Sequence, residues 1–166
     1  IPIDPFYLSY KAKEFDVPTR FIELAGEINT AMPEYVIGRI AEALNEDAKP
    51  IHGSQIFVLG LSYKKDVDDL RESPSIELIE LLLARGADVK YNDPFFSTIP
   101  AMRDHNLGIE SQPINPKTLQ TADLVLIATD HSQYDYAKIG EYSHIIVDTR
   151  NAMEEQSECK AIIWKA

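Results

Sequence analysis

Apolar residues recur at three- and four-residue spacing between residues 19 and 44, a pattern that predicts one long amphipathic helix. Pro33 lies inside this pattern. Because the apolar periodicity continues in register beyond it, we expect a kink there rather than a break. A shorter helix is predicted over residues 6–15, with Asp4 and Pro5 as its start. The apolar positions of the long helix are Phe21, Leu24, Ala25, Ile28, Met32, Val36, Ile40 and Leu44.

After a connection at residues 46–50 the pattern changes, and short apolar runs alternate with amphipathic segments. This alternation predicts an α/β fold with a parallel sheet whose central strands are buried on both faces. The sequence therefore divides into a helical region, residues 1–48, and a sheet domain, residues 49–166. The predicted strands are 56–59, 87–92, 124–128, 145–147, a minor one at 109–111 and a last one at 161–164, and the predicted helices are 75–86, 116–121 and a short one near Pro100.

Composition narrows the class of protein. The 166 residues are 45% hydrophobic and 26% charged, as in ordinary globular proteins, and the net charge of −11 argues against nucleic acid or an anionic membrane as a partner. The single cysteine excludes an internal disulfide, and no apolar run suggests a leader or a membrane span, so we expect a cytoplasmic protein. A chain that begins Ile-Pro-Ile-Asp is expected to be a piece of a longer protein.

A charged loop, residues 60–73, follows the first predicted strand and contains Lys64, Lys65 and Arg71. Ligands of open parallel sheets bind beyond the carboxyl ends of the strands, so this loop is a candidate anion site. Arg150 follows another strand and would lie at the same edge. The alternative is a solvated loop whose cations pair with its own carboxylates, which are Asp66, Asp68, Asp69 and Glu72.

Two other side chains, those of His131 and Cys159, are of types that often act in catalysis, but we assign them no catalytic role. His131 follows a predicted strand, but a lone histidine in such a loop is more often a hydrogen-bonded structural residue. Cys159 lies among carboxylates, which disfavour the thiolate that a nucleophile needs. No spaced set of His, Cys and carboxylate residues predicts a metal site.

The charged loop also carries a resemblance. Its Tyr-Lys pair at 63–64, an arginine seven residues after the lysine and a following Glu-Ser-Pro are similar to the signature loop of the UDP-glucose/GDP-mannose dehydrogenase family. Residues 1–8, Ile-Pro-Ile-Asp-Pro-Phe-Tyr-Leu, resemble the segment directly after that family's catalytic cysteine. The whole chain resembles the family's carboxyl-terminal half, and residues 25–29 are most similar to the UDP-N-acetylhexosamine 6-dehydrogenases.

This resemblance implies a Rossmann-like UDP-binding domain preceded by a long helix that connects two halves of the enzyme and forms a homodimer. Spacing alone leaves open whether that helix packs on its own domain or on a second subunit. By matching positions, Tyr63, Lys64 and Arg150 are expected to bind a UDP-sugar. Lys64 would present a compact positive charge to a diphosphate, and Arg150 a planar guanidinium that suits phosphate or a uracil carbonyl. Tyr63 would offer a flat ring as one wall of the site.

The resemblance also implies contacts with NAD. Arg71 matches a residue that reaches the NAD of the other subunit, although an ion pair with Glu72 or Asp68 is the alternative. Asp4 matches an aspartate that holds or activates the hydrolytic water, and helix capping is its alternative. Ile1, Pro2 and Ile3 match residues that line the NAD pocket.

In the family, the C6 alcohol of a UDP-sugar is oxidised to the uronate with two NAD, through a thiohemiacetal and a thioester on a cysteine. This sequence has no glycine-rich dinucleotide fingerprint, and Cys159 does not match the nucleophile. We therefore expect the UDP-sugar-binding part of an NAD-dependent 6-dehydrogenase, inactive by itself. The alternative is a free-standing α/β binding or scaffold module, and the sequence does not determine which UDP-sugar would bind.

Overall fold

The structure is a computed structural model that describes residues 4–99, 107–156 and 158–166. Five parallel strands form one sheet in the order β2-β1-β3-β4-β5. The elements in chain order are α1 (Asp4–Lys13), α2 (Arg20–Glu46), β1 (Gln55–Leu59), α3 (Pro74–Ala84), β2 (Asp88–Asn92), α4 (Pro116–Thr121), β3 (Leu124–Ile127), α5 (Tyr136–Tyr142), β4 (Ile145–Asp148) and β5 (Ile162–Lys165).

The sheet is covered by helices on both faces, which explains why its central strands are continuous apolar runs. Alternate residues of β1, β3 and β4 point to opposite sides. Ile56, Leu124 and Ile145 pack in a core with α2 and α3, whereas Phe57 and Val125 pack in a second core with α4 and α5. The prediction of a Rossmann-like α/β domain with a parallel sheet is confirmed. Because all five strands are parallel, their carboxyl ends lie at one edge.

The long helix α2 runs without a break through Pro33, but its apolar stripe does not have a single function. Ile40 and Leu44 are fully buried in the core of the sheet domain, whereas Phe21 is 90% exposed and Ile28 55% exposed. The reason is length, since only the carboxyl-terminal half of the helix lies over the sheet. The resemblance implied a homodimer along this helix, but the half that begins at Val36 is not available for such an interface because it packs on its own domain.

Other predicted elements differ in detail. The minor strand predicted at 109–111 is absent from the described elements; Glu110 and Ser111 form isolated bridges instead, Glu110 with Thr98 and Ser111 with Tyr91. Helix α5 was not predicted; it begins after Asp135, whose side chain accepts a hydrogen bond from the Lys138 amide. The helix predicted near Pro100 lies outside the described residues.

The division into residues 1–48 and 49–166 remains a prediction. None of the helices in the described part of the chain is long and apolar enough to cross a membrane. The cytoplasmic location remains a prediction as well.

Candidate functional site

A groove at the carboxyl edge of the sheet is bounded by α2, the charged loop, the start of α3 and the ends of β3 and β4. Three of the residues predicted to bind ligands line it, namely Tyr63, Arg71 and Arg150. Lys64 follows Tyr63 directly and is exposed, with its ammonium 5.4 Å from the centroid of the tyrosine ring. The fold thus brings residues that are 87 positions apart in sequence, Tyr63 and Arg150, to one groove.

Arg150 is held by the turn that ends β4. The buried carboxylate of Asp148 accepts hydrogen bonds from the amides of Arg150 and Met153, both at 2.9 Å. The Arg150 Nε donates to the carbonyl of Ala128, at the end of β3, at 2.7 Å. Within the described residues, its terminal nitrogens make no ion pair or hydrogen bond. One side of the guanidinium is therefore fixed to the protein, and the other is available to a ligand.

The charged loop leaves the sheet through Gly60, whose φ of 85° requires glycine. A Cβ at this position would lie 2.4 Å from the carbonyl oxygen of Thr129. Two hydroxyls then hold the backbone beyond it, since Thr129 Oγ1 donates to the Ser62 carbonyl at 2.7 Å and Ser73 Oγ donates to the Leu61 carbonyl at 2.5 Å. The start of the loop is consequently attached to the end of β3, and the end of the loop is attached to its start.

Beneath the loop lies a fully buried carboxylate, that of Asp93, which follows β2. Its Oδ2 accepts hydrogen bonds from the amides of Leu61 at 2.6 Å and Ser62 at 3.1 Å, and its Oδ1 accepts one from Phe95 at 2.8 Å. Burial by itself raises the pKa of Asp93, but the hydrogen bonds from His131 and from the amides of Leu61 and Phe95 outweigh it and lower the pKa below its usual value. Asp93 is therefore a buried anion that organises backbone amides.

His131 connects Asp93 to the tip of the loop. Its Nδ1 accepts a hydrogen bond from the Asp66 amide at 3.0 Å, so the ring proton is on Nε2, 3.2 Å from the Asp93 carboxylate. The side chain is completely buried. The interpretation of His131 as a hydrogen-bonded structural residue agrees with this geometry, whereas no role was predicted for Asp93.

The three cations of the charged loop have different surroundings. Arg71 is 87% exposed and forms a bidentate pair with Asp69, with Nε–Oδ1 and Nη2–Oδ2 distances of 3.0 and 2.8 Å. This hydrogen bonding lowers the pKa of Asp69 to about 2. Lys65 lies 3.7 Å from Asp130. Among the described residues, Lys64 has no carboxylate partner, and the partner of Lys65 lies outside the loop. The interpretation of a loop whose cations pair with its own carboxylates therefore holds for one of the three cations, Arg71.

The partner of Arg71 corrects the sequence analysis, which named Glu72 or Asp68. An aspartate two residues earlier is suitable because its Oδ1 also accepts a hydrogen bond from the Arg71 amide at 2.9 Å, which closes a local turn. Glu72 has a positive φ of 56°, and the chain turns away after Arg71.

Asp4 is the first residue of α1 and is exposed, and the two residues after it, Pro5 and Phe6, line the groove. In the first turn of a helix an aspartate interacts favourably with the helix dipole. Ile1, Pro2 and Ile3 lie outside the described residues. Across the described ranges, no group of three His, Cys, Asp or Glu side chains could hold a metal ion.

Comparisons with known proteins agree on one family. The model for the UDP-binding domain of the UDP-glucose/GDP-mannose dehydrogenase family matches residues 57–155. An NDP-N-acetyl-D-galactosaminuronic acid dehydrogenase of Ralstonia solanacearum is 32% identical over 152 residues, 90% of this chain and 33% of that protein. A UDP-N-acetyl-D-mannosamine dehydrogenase of Pyrococcus horikoshii is 33% identical over 161 residues, 93% of this chain and 35% of that protein.

Solved structures give the same result. A structure of the UDP-D-ManNAc dehydrogenase from Pyrococcus horikoshii matches with a TM-score of 0.77 and 29% identity, over 99% of this chain and 37% of that one. A UDP-glucose dehydrogenase from Pyrobaculum islandicum matches with a TM-score of 0.73 and 25% identity, over 98% of this chain and 36% of that one. The chain spans about a third of the length of these relatives. It belongs to the UDP-glucose/GDP-mannose dehydrogenase family, and residues 57–155 are its UDP-binding domain.

Proposed function

We propose that this chain is the nucleotide-sugar-binding part of an NAD-dependent UDP-sugar 6-dehydrogenase, in which Tyr63, Lys64 and Arg150 bind the UDP group. The observation that carries the proposal is the groove at the carboxyl edge of the sheet, which Tyr63 and Arg150 both line. The Lys64 ammonium lies 5.4 Å from the Tyr63 ring and has no carboxylate partner among the described residues. Family membership and the names of the relatives support the same substrate class.

Electrostatics favour these cations as the nucleotide ligands. The chain has a net charge of −11, so a diphosphate depends on cations that are close to it and not already neutralised. Arg71 and Lys65 each have an aspartate partner, at 2.8 and 3.7 Å. Lys64 and the terminal nitrogens of Arg150 have none among the described residues, and they can make charge-assisted hydrogen bonds to phosphate or to a uracil carbonyl.

The other predicted residues would serve the chemical steps. A bound NAD would supply the hydride acceptor for oxidation at C6 of the sugar. Arg71 suits a contact with its phosphates because the guanidinium is 87% exposed, although it would have to share or leave Asp69. Asp4, at the exposed start of α1, would hold the water that releases the uronate. Ile1, Pro2 and Ile3 are proposed to line the NAD pocket.

Titration calorimetry with UDP tests the proposal. We expect saturable binding of one UDP per chain, and weaker binding of uridine, which lacks the diphosphate that Lys64 would meet. The alternative, a scaffold module without a nucleotide site, predicts no heat of binding with either compound. Absence of UDP binding at millimolar concentration would therefore overturn the proposal.

The 166-residue chain is expected to form no NADH from NAD with UDP-glucose or UDP-N-acetylglucosamine. The reason is that this sequence contains neither a glycine-rich dinucleotide fingerprint nor a cysteine that matches the family's nucleophile. Absorbance at the NADH maximum, compared with a heat-denatured sample, measures it. A rate above that control would show that the chain is catalytically complete and would contradict our assignment of its part in the reaction.

We also propose that the amino-terminal half of α2 forms a homodimer. Phe21, Leu24 and Ile28 are between 51% and 90% exposed, and Met32 and Tyr35 continue the same stripe at 39% and 52%. An apolar stripe of this length is unusual on the surface of a monomer. The carboxyl-terminal half of the helix is not available, because Ile40 and Leu44 are buried in the sheet domain.

Ile28→Glu is expected to shift the chain from dimer to monomer, because the dimer would have to bury an unpaired carboxylate. Sedimentation equilibrium at micromolar concentration measures the shift. Ala41→Glu adds the same charge at an exposed position in the other half of α2, and it should leave the dimer intact. A wild-type chain that is already monomeric, or equal effects of both substitutions, would contradict the proposed interface.

A further inference from the structure

The proposed UDP contacts leave one buried polar pair without a function, the side chains of Asp93 and His131. Both are completely buried, and each follows a strand next to β1, Asp93 after β2 and His131 after β3. Burying a carboxylate and an imidazole costs free energy unless their hydrogen bonds are satisfied. Apolar side chains would fill the same space at lower cost, so the geometry of this pair needs an explanation.

The pair holds both ends of the segment that carries the proposed nucleotide ligands. Asp93 accepts hydrogen bonds from the amides of Leu61 and Ser62, and His131 accepts one from the amide of Asp66. Tyr63 and Lys64 lie between these two attachments. The hydrogen bond between His131 Nε2 and Asp93 joins the attachments to each other.

The tip of the segment is held in a conformation that it would not adopt freely. Asp66 has a φ of 57°, in the left-handed region that non-glycine residues rarely adopt. Its carboxylate accepts hydrogen bonds from the Ser132 amide at 2.8 Å and from Ser132 Oγ at 2.6 Å, while its own amide donates to His131. Residues 131 and 132 thus compensate for the backbone strain at residue 66.

Two aromatic rings pack around the imidazole. The Phe95 centroid is 5.3 Å from that of His131, and the Tyr134 centroid is 5.6 Å away, with an edge-on angle of 82°. The Tyr134 hydroxyl donates to the carbonyl of Asn92 at 2.9 Å, which fixes this ring against the end of β2. His131 therefore has little freedom to change its rotamer, and its Nδ1 presents a fixed acceptor to the loop.

We propose that Asp93 and His131 are positioning residues for nucleotide binding, which hold residues 61–66 so that Tyr63 and Lys64 are in place before UDP arrives. Neither side chain touches the nucleotide. Their contribution is preorganisation, since a loop that is already ordered loses less conformational entropy on binding. This inference rests on the proposed UDP site.

Two amide substitutions separate the bonds that His131 makes. In His131→Asn the side-chain oxygen lies near the position of Nδ1 and can accept from the Asp66 amide, whereas in His131→Gln the terminal NH2 lies near Nε2 and can donate to Asp93. We expect at least a tenfold loss of UDP affinity for His131→Gln, and recovery of most of that loss for His131→Asn. Calorimetry gives the affinities, and melting temperatures show that each variant is folded.

Asp123→Asn is the matched control. Asp123 also accepts a backbone hydrogen bond, from Gln55 at 2.8 Å, and binds Lys49 at 2.6 Å, but it lies at the start of β3, at the opposite edge of the sheet. Its loss should lower the melting temperature without a change in UDP affinity. If Asp123→Asn weakens UDP binding as much as His131→Gln, loss of stability explains both and the proposal is wrong.

A double-mutant cycle supplies a result that a merely structural role would not give. If His131 acts through Lys64, then Lys64→Ala should cost clearly less affinity in the His131→Gln background than in the wild-type chain. Losses that add without coupling would overturn the proposal. Failure of the wild-type chain to bind UDP would instead refute the proposed function.

Amide hydrogen exchange tests the positioning without any nucleotide. The Asp66 amide should exchange faster in His131→Gln, which removes its acceptor, than in His131→Asn or the wild-type chain. Equal exchange in all three chains would refute the positioning function even if UDP binds as proposed.

Discussion

Replacing either Lys64 or Arg150 with alanine is expected to weaken UDP binding by about 1.5 to 3 kcal/mol, the range for a hydrogen bond to a charged group. This is a loss of roughly ten- to 150-fold in affinity. Among the described residues, Lys64 has no carboxylate partner, and the Arg150 guanidinium is held only through its Nε. Both charges are therefore expected to be used fully by the ligand. Calorimetry with UDP measures the losses.

Lys65→Ala is the control for this experiment, because Lys65 has the same charge and lies in the same loop. Its ammonium is 3.7 Å from Asp130, and we expect a change of less than threefold in affinity. A nonspecific attraction of UDP to the loop would treat Lys64 and Lys65 alike. Equal losses for the two lysines, or no loss for Arg150→Ala, would mean that the nucleotide binds elsewhere.

The sheet could be predicted from sequence because its central strands have few alternatives. Runs such as residues 124–128 are too short for a buried helix and are apolar at every position, so only a strand covered on both faces suits them. Helix α3 has an equally clear local signal, since a serine and a proline stand at its start, and the Ser73 side chain caps the helix by accepting a hydrogen bond from the Ser75 amide. In both the central strands and helix α3, the residues of the element itself are enough to predict its structure.

The long helix shows what periodicity leaves open. The spacing from Phe21 to Leu44 predicts an apolar face, but it does not say what covers that face. The sheet domain covers it from Val36 onward, and Phe21, Leu24 and Ile28 remain exposed. Packing on the same domain and an interface with a second subunit were treated as alternatives. The helix is long enough for one half to pack on its own domain while the other half remains exposed.

The site beneath the charged loop was the hardest feature to predict. Asp93 and His131 are 38 residues apart in the sequence, and no motif of fixed spacing links either residue to a hydrogen-bonding partner. The usable signal was topological, because each follows a strand and β2 and β3 both flank β1. Strand order cannot be predicted from local sequence, so the contact between Asp93 and His131 could be identified only in the three-dimensional structure.

Asp93→Asn is expected to lower the free energy of unfolding at neutral pH by about 2 to 5 kcal/mol. One carboxylate oxygen accepts from Leu61, Ser62 and His131, and the other accepts from Phe95. An asparagine can offer an oxygen to only one of these sets and would place an NH2 against the donors of the other. The expected fall in melting temperature is roughly 5 to 15 °C for a chain of this size.

Acid should reduce the difference between the wild-type chain and Asp93→Asn. The pKa of Asp93 is lower in the folded chain than its ordinary value, so its ionised form stabilises the fold above about pH 4. This stabilisation is lost as the pH falls through the folded pKa. Other aspartates with lowered pKa, such as Asp69 and Asp135, are present in both chains, and their contribution cancels in the comparison.

Urea unfolding between pH 3 and pH 7 measures this difference, with Asp88→Asn as the control. Asp88 is an exposed aspartate at the start of β2, and its amide form should follow the wild-type chain at every pH. If the gap between Asp93→Asn and the wild-type chain stayed constant down to pH 3, the loss would come from packing rather than from the charge. The buried anion would then not be what holds the amides of Leu61 and Ser62 in place.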